Sequence, residues 1–463
     1  MSGLRGKDLL TLCKDALARS GEPHAELYAS FRARGCARFS GGDLGQHMSL
    51  DEPMVVARVA HGNRVAEAQT SRLDLEAVTR ALADASRAAH LVPETVGFPG
   101  FAGDEPLVAS PERFTERTAA ATEEERVEML APALARIAKA GLVSAGMLET
   151  TRQASAVATT AGCHRSHDGT VANFKVWALE TAGGGGAAGY GSHLHRDVGA
   201  LRILEETERA VDHCERGKNP LALDAGLYDV VFEPAAAAEL LEWLSLIAFG
   251  AGEVEQGGSP MRLGESITGE NITITEDPLD ASDLGFCAPF DREGTPRRTV
   301  GLIEGGVARA ILHDRSTAAR MKATSTGSAL PPDAGGGSAG SSAVHLAGGS
   351  ATGIGELLSG MRRGLYVCRL HYVNGLLETP RAVMTGLTRD GCFLVENGKL
   401  TRAVGNLRFT DSFLEGLARC DGMTKERRAL PTWWSDGGAV VAPAIRIRGF
   451  RFNGGSQVRP TLE

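Results

Sequence analysis

A chain of 463 residues is too long for a single core and points to two domains, three at most. Hydrophobic content of 43% and charged content of 23% are those of an ordinary soluble globular protein. The net charge of -8, with no basic run interleaved with aromatics, argues against nonspecific nucleic-acid binding, which needs basic patches to displace counterions.

The first segment, 3–21, is amphipathic, with Leu9, Leu10, Leu12, Cys13, Ala16 and Leu17 at helical spacing and charges between them. No signal peptide is evident in it, and no stretch has the 18 or so apolar residues of a membrane span. The eight cysteines are dispersed and form no C-x-x-C pair, so reduced thiols in a cytoplasm are expected.

Residues 25–38 and 48–60 alternate like strands, and 61–64 turn into 65–68 as a hairpin with a glycine-bearing turn. A helix is predicted from Ser71 to about His90, with Leu75, Val78, Leu82 and Ala85 on its inner face. Thr122 with Glu125 three residues on is a capping-box pattern and opens a helix that Gly141 stops. Strands follow at 146–159, 170–180 and 189–195, then a helix at 200–214. The polar, breaker-rich run from Glu215 to Pro220 sets a domain boundary, giving domains 1–220 and 221–463.

Beyond it, Asp229-Val230-Val231-Phe232 forms a short strand that runs into Glu233-Pro234 and a helix. Proline at the first helical position costs no hydrogen bond, and an acidic residue suits the positive helix end. Leu240, Leu241, Leu244, Ile247 and Ala248 mark its buried face. Strands are predicted at 272–275, 299–303, 307–312, 365–370, 392–395 and 444–448. Between them, 331–355 is a Gly/Ser/Ala-rich segment too long for an ordinary loop. The expected class is α+β: an N-terminal domain with a mixed or antiparallel sheet, and a strand-rich C-terminal domain around a central helix.

Local chemistry is sparse. Cys163, His164 and His167 lie close together, but the spacing suits a hairpin tip turning at Asp168-Gly169 better than a four-coordinate metal. His193 and His195 share a strand face without an evident third ligand. Gly183–Gly186 lacks the ending of a phosphate loop, and Ser325-Thr326-Gly327-Ser328 lacks the setting of a nucleophile. Glu242 would serve as a base only beside a metal-bound water; without ligands near it, it reads as a solvated or salt-bridged helix residue.

Four segments, in order, resemble the TldD/TldE (PmbA) metalloprotease family. They are the strand and helix at 228–256 with Gly264-Glu265, the run from Pro289 to Val307, Ser325–Ala329, and the run from Thr385 to Lys399. The family's catalytic TldD subunit carries H-E-x-x-x-H on this helix and a third zinc ligand, a cysteine, before the last strand. The motif falls here on Leu241, Glu242 and Leu246, and the segment from Trp433 to Ala439 has no cysteine. The resemblance is to the TldE-type subunit, which lacks the zinc motif. It implies a heterodimer in which a TldD-like partner supplies zinc, with no cofactor in this chain and no catalytic residue of its own. The leucines are expected to fill the space of the histidines and stabilise the helix packing.

The implied substrate is an unfolded or modified peptide, held by strand addition. Candidate peptide contacts are Thr385, Gly386, Leu387, Thr388, Arg389 and Asp390, with the glycine-rich loop. The alternatives are a stand-alone homodimeric peptide-binding or scaffold protein that has lost catalysis, and an enzyme using Cys163, His164 and His167 or His193 and His195.

Overall fold

The computed structural model describes residues 3–181, 186–331, 339–431 and 439–455. The chain is α+β, with an antiparallel sheet in its first half and a mixed sheet in its second. The first half runs α1 (Gly6–Ser20), β1 (Ala25–Ser40), β2 (Asp43–His61), β3 (Arg64–Thr70), α2 (Leu75–Ala89), α3 (Glu116–Ala119), α4 (Glu123–Lys139), β4 (Val143–Thr159), β5 (His164–Leu179), β6 (Ala188–His195) and α5 (Ile203–Arg216). The six strands are ordered β3-β2-β1-β4-β5-β6. Thr122 caps α4 as expected: its hydroxyl accepts the Glu125 N–H at 3.2 Å, and the Glu125 carboxylate accepts the Thr122 N–H at 2.8 Å.

The second half runs β7 (Gly226–Phe232), α6 (Pro234–Ala248), α7 (Ala251–Glu255), β8 (Ile274–Glu276), β9 (Val300–Glu304), β10 (Val307–Ala308), α8 (Arg315–Met321), β11 (Val344–Leu346), α9 (Ile354–Ser359), β12 (Arg363–Glu378), β13 (Val383–Glu396), β14 (Lys399–Ala403), β15 (Leu407–Ser412), α10 (Phe413–Ala418), β16 (Cys420–Pro431) and β17 (Ala439–Gly455). Strand β17 pairs with both β15 and β7, and β7 continues through β12 and β13 back to β15. Five strands therefore close on themselves, and α6 packs into the same apolar core as Val230, Phe232, Phe409 and Phe450.

Two local expectations are corrected. Asp168-Gly169 is not a turn: both residues sit inside β5, opposite Ala154 and Gln153, and the chain reverses at 160–163 instead. The Asp168 carboxylate accepts the Gly6 N–H at 2.9 Å, so its polar side chain fastens α1 to the sheet. Of 307–312 only Val307–Ala308 is strand. Leu312 instead exchanges backbone bonds with Phe249 (2.7 Å) and Ala251 (2.9 Å), which fixes the end of α6.

Polar contacts join the two sheets. Arg58 on β2 donates to Glu26 of β1 at 2.9 Å and to Glu293 of the second half at 3.0 Å, and Arg428 of β16 pairs with Glu206 of α5. Among the described residues no helix is long and apolar enough to cross a membrane. All eight cysteines are free and buried.

Candidate functional site

Helix α6 starts where β7 ends. Glu233 is extended (φ -62°, ψ 163°) and Pro234 takes the first helical position. Most of the helix circumference is apolar and buried, as for a helix enclosed by strands. Leu241 is 0% exposed and part of the core, whereas Leu246 is 43% exposed. The expectation that both leucines fill core space is therefore half right. Five helical steps of about 100° place the two residues about 140° apart around the axis, so they cannot share one face.

Glu242 between them is 5% exposed, so it is a buried carboxylate and not a solvated one. Its charge acts on Lys175 of β5, whose ammonium is drawn below its ordinary range chiefly by burial, with Glu242 among the groups opposing that shift. Neither Leu241 nor Leu246 offers a donor atom, so the side chains at this motif do not fit a zinc ion. The segment 432–438, which covers nearly all of the cysteine-free run before the last strand, lies outside the described residues.

Around α6 the two halves meet through aromatic and charged groups. Trp177 of β5 donates its indole N–H to Asp390 of β13 at 3.0 Å, and Arg369 of β12 donates to the same oxygen at 2.9 Å. The Arg369 guanidinium lies 5.5 Å from the Trp177 ring centroid and 4.8 Å from that of Tyr190, in cation–π range. Glu239, one turn before Glu242, accepts the Val373 N–H, and burial raises its carboxyl to about 7. Burial, with Arg389 and Arg369 nearby, lowers His371 to about 4. At the end of β12, Tyr372 is 69% and Leu376 61% exposed. Gly375 lies against Trp243, where a Cβ would come within 2.9 Å of the indole.

The segment Thr385 to Asp390 is an interior stretch of β13. Thr385, Gly386 and Leu387 pair with β15, and Thr385 and Leu387 also with β12, so their main chain has no edge left for strand addition. Thr388 is buried and its hydroxyl accepts the Leu407 N–H at 2.9 Å. Asp390 is committed to Trp177 and Arg369, and Arg389 sits beside it at 3.7 Å. What this segment offers a ligand is its half-buried side chains, Thr385 and Arg389.

The remaining sequence candidates do not assemble. Cys163, just before β5, and His167 within it are four rises apart, about 13 Å, while His164 alternates to the other face. His193 and His195 stack at 6.2 Å, but each is tied to its own loop: His193 Nδ1 accepts the Arg202 N–H at 3.4 Å and His195 Nδ1 the Asp197 N–H at 2.9 Å. Ser325 and Thr326 donate to the His313 carbonyl at 3.1 and 3.0 Å, as turn structure does. The expected connector at 183–186 and the loop at 331–355 lie partly outside the described residues. Glu239 and Arg369 were missed by sequence reasoning, although Glu239 stands at i-3 from Glu242 on the same helix face.

The family model described as the PmbA/TldA metallopeptidase C-terminal domain matches residues 225–454, the closed sheet and α6 together. The chain belongs to the PmbA/TldD family. Among its relatives, a metalloprotease of Methanocaldococcus jannaschii is 26% identical over 229 residues, 49% of this chain and 47% of that protein. A metalloprotease of Archaeoglobus fulgidus is 31% identical over 130 residues, 27% of this chain and 30% of that one. The chain thus spans half or less of the curated relatives it matches. TldE from Thermococcus kodakarensis superimposes with a TM-score of 0.87 at 19% identity, covering 96% of this chain and all of that one (100%). A Thermotoga maritima protein described as a candidate modulator of a DNA gyrase gives 0.82 at 19% identity, covering 96% and 99%. At these identities the structures show a shared PmbA/TldD fold.

Proposed function

We propose that this chain is a non-catalytic, TldE-type subunit that works in the cytoplasm with a TldD-like catalytic partner to cleave unfolded or modified peptides. The observation that carries this reading is the chemistry of α6. At the motif positions Leu241 and Leu246 are hydrocarbon, Glu242 is buried, and the run before the last strand supplies no cysteine. Zinc and the attacking water belong to the partner. This chain contributes the wall of the chamber.

The exposed apolar side chains Tyr372, Leu376 and Leu377 on β12, the strand whose Gly375 lies against Trp243 of α6, are the surface assigned to the partner. Large apolar groups exposed together mark interaction surfaces more often than they mark idle surface. The half-buried Thr385 and Arg389 remain the proposed peptide contacts, acting through side chains.

Co-expression with the H-E-x-x-x-H homologue of the same genome, followed by size-exclusion chromatography and mass measurement, tests the assembly. A one-to-one complex is expected. A stable homodimer that ignores the homologue would favour the stand-alone peptide-binding or scaffold protein.

A further inference from the structure

The last turn of α5 carries His213, the junction of β7 and α6 carries Glu233, and β12 carries Cys368. All three are buried, and one nitrogen, one oxygen and one sulfur from them lie within 4.8 Å of one another. We propose that His213, Glu233 and Cys368 bind a zinc ion that fastens the two halves of the chain together.

Geometry and donor chemistry both support it. His213 Nε2 is 3.4 Å from Glu233 Oε1 and 3.8 Å from Cys368 Sγ. Tetrahedral zinc with bonds of about 2.0–2.1 Å to N and O and about 2.3 Å to S has ligand-to-ligand edges of about 3.3–3.6 Å. The two edges from His213 Nε2 lie within a few tenths of an ångström of a coordination shell, and the edge between Glu233 and Cys368 is no longer than 4.8 Å. Imidazole, carboxylate and thiolate together form a borderline donor set that favours zinc over magnesium or calcium, which take oxygen almost exclusively.

The carboxylate is also held as ligating carboxylates are. The Tyr366 hydroxyl donates to Oε1, and Arg209 Nη1 stands 3.7 Å from Oε2. His213 Nδ1 has no hydrogen-bond partner, and the ring packs against Tyr366 and Phe393 with Nε2 turned to the other two side chains. The site is distinct from the family motif on α6, because Leu241 lies eight residues beyond Glu233, about 12 Å along the helix. Its burial makes it structural and keeps it from substrate. Binding exchanges the Cys368 thiol proton for the metal bond, so uptake releases one proton and strengthens as pH rises.

The test uses the full chain, stripped of metal with a chelator and titrated with cobalt(II), then with zinc. Expected are about one metal per chain, a thiolate-to-cobalt charge-transfer band in the near ultraviolet, and a higher Tm with zinc. Cys368→Ser should abolish the band and stoichiometric zinc, and Tyr366→Phe should weaken binding by about 10–100-fold, as loss of a carboxylate-orienting bond does. If Cys368→Ser fails to fold, zinc-edge X-ray absorption on the unaltered chain decides: one sulfur ligand supports the site, and none overturns it. Absence of stoichiometric metal, or a band that survives in Cys368→Ser, overturns it too. A metal on α6 would survive that substitution, so this outcome is separate from the reading of the chain as non-catalytic.

Discussion

Trp177 of the N-terminal sheet donates its indole N–H to Asp390 of the C-terminal sheet at 3.0 Å, and Arg369 neutralises the same carboxylate at 2.9 Å. This contact ties the two halves together beside α6. Replacing Asp390 by Ala strands a buried guanidinium and an indole N–H, with an expected loss on the order of 3 kcal/mol. Asp390→Asn keeps a hydrogen-bond acceptor and tolerates the left-handed backbone (φ 54°), so it should lose less. Urea midpoints of the two variants check the ordering.

The two leucines of the motif differ in environment and should differ in tolerance. Leu241→His places an imidazole in an apolar position without a partner and should cost roughly 2–4 kcal/mol. Leu246→His, on a half-exposed face, should stay within about 0.5 kcal/mol of the parent. Equal effects in thermal or urea unfolding would mean that the helix is rotated from the orientation described.

Glu239 gives a pH signature. Burial raises its carboxyl to about 7 from an ordinary value of 4.5. The folded chain therefore keeps a proton that the unfolded chain has lost between those values. The stability Glu239 contributes is complete below about pH 4 and disappears as pH rises through about 7. Glu239→Gln should remove that dependence, so its stability relative to the parent rises between about pH 4 and pH 8 by on the order of 3 kcal/mol. Parallel stability–pH curves for the two proteins would contradict this assignment.

The apolar end of β12 should matter for assembly and little for folding. Tyr372→Lys with Leu376→Lys alters two side chains that are mostly in solvent, so the unfolding midpoint should hardly move. Binding to the H-E-x-x-x-H homologue, measured by calorimetry, should weaken at least about tenfold. Unchanged affinity would place the interface elsewhere.

Much of the fold was legible because its signals are local. The Thr122 capping box, Pro234 at the start of α6 and the apolar spacing along that helix each act within one or two turns. The strands were read too short where turn-forming residues sit inside long ladders. Asp168-Gly169 lies within β5, paired with Ala154 and Gln153 of β4, although a strand is expected only from 170. Asp390-Gly391, with φ values of 54° and 131°, kinks β13 without ending it. Side-chain surroundings were the least legible. That leucines stand at positions 241 and 246 is plain in the sequence, but not that only one of them is buried. Nor could spacing reveal the meeting of Glu239, Arg369, Asp390 and Trp177, which depends on two halves of the chain packing face to face.

The most direct measurement is peptide cleavage by three samples at equal concentration: this chain alone, the H-E-x-x-x-H homologue with this chain, and the same pair with the homologue's motif glutamate changed to glutamine. Turnover of an unfolded peptide is expected only in the second sample. Turnover by this chain alone, or turnover that persists in the third, would contradict its assignment as the non-catalytic subunit.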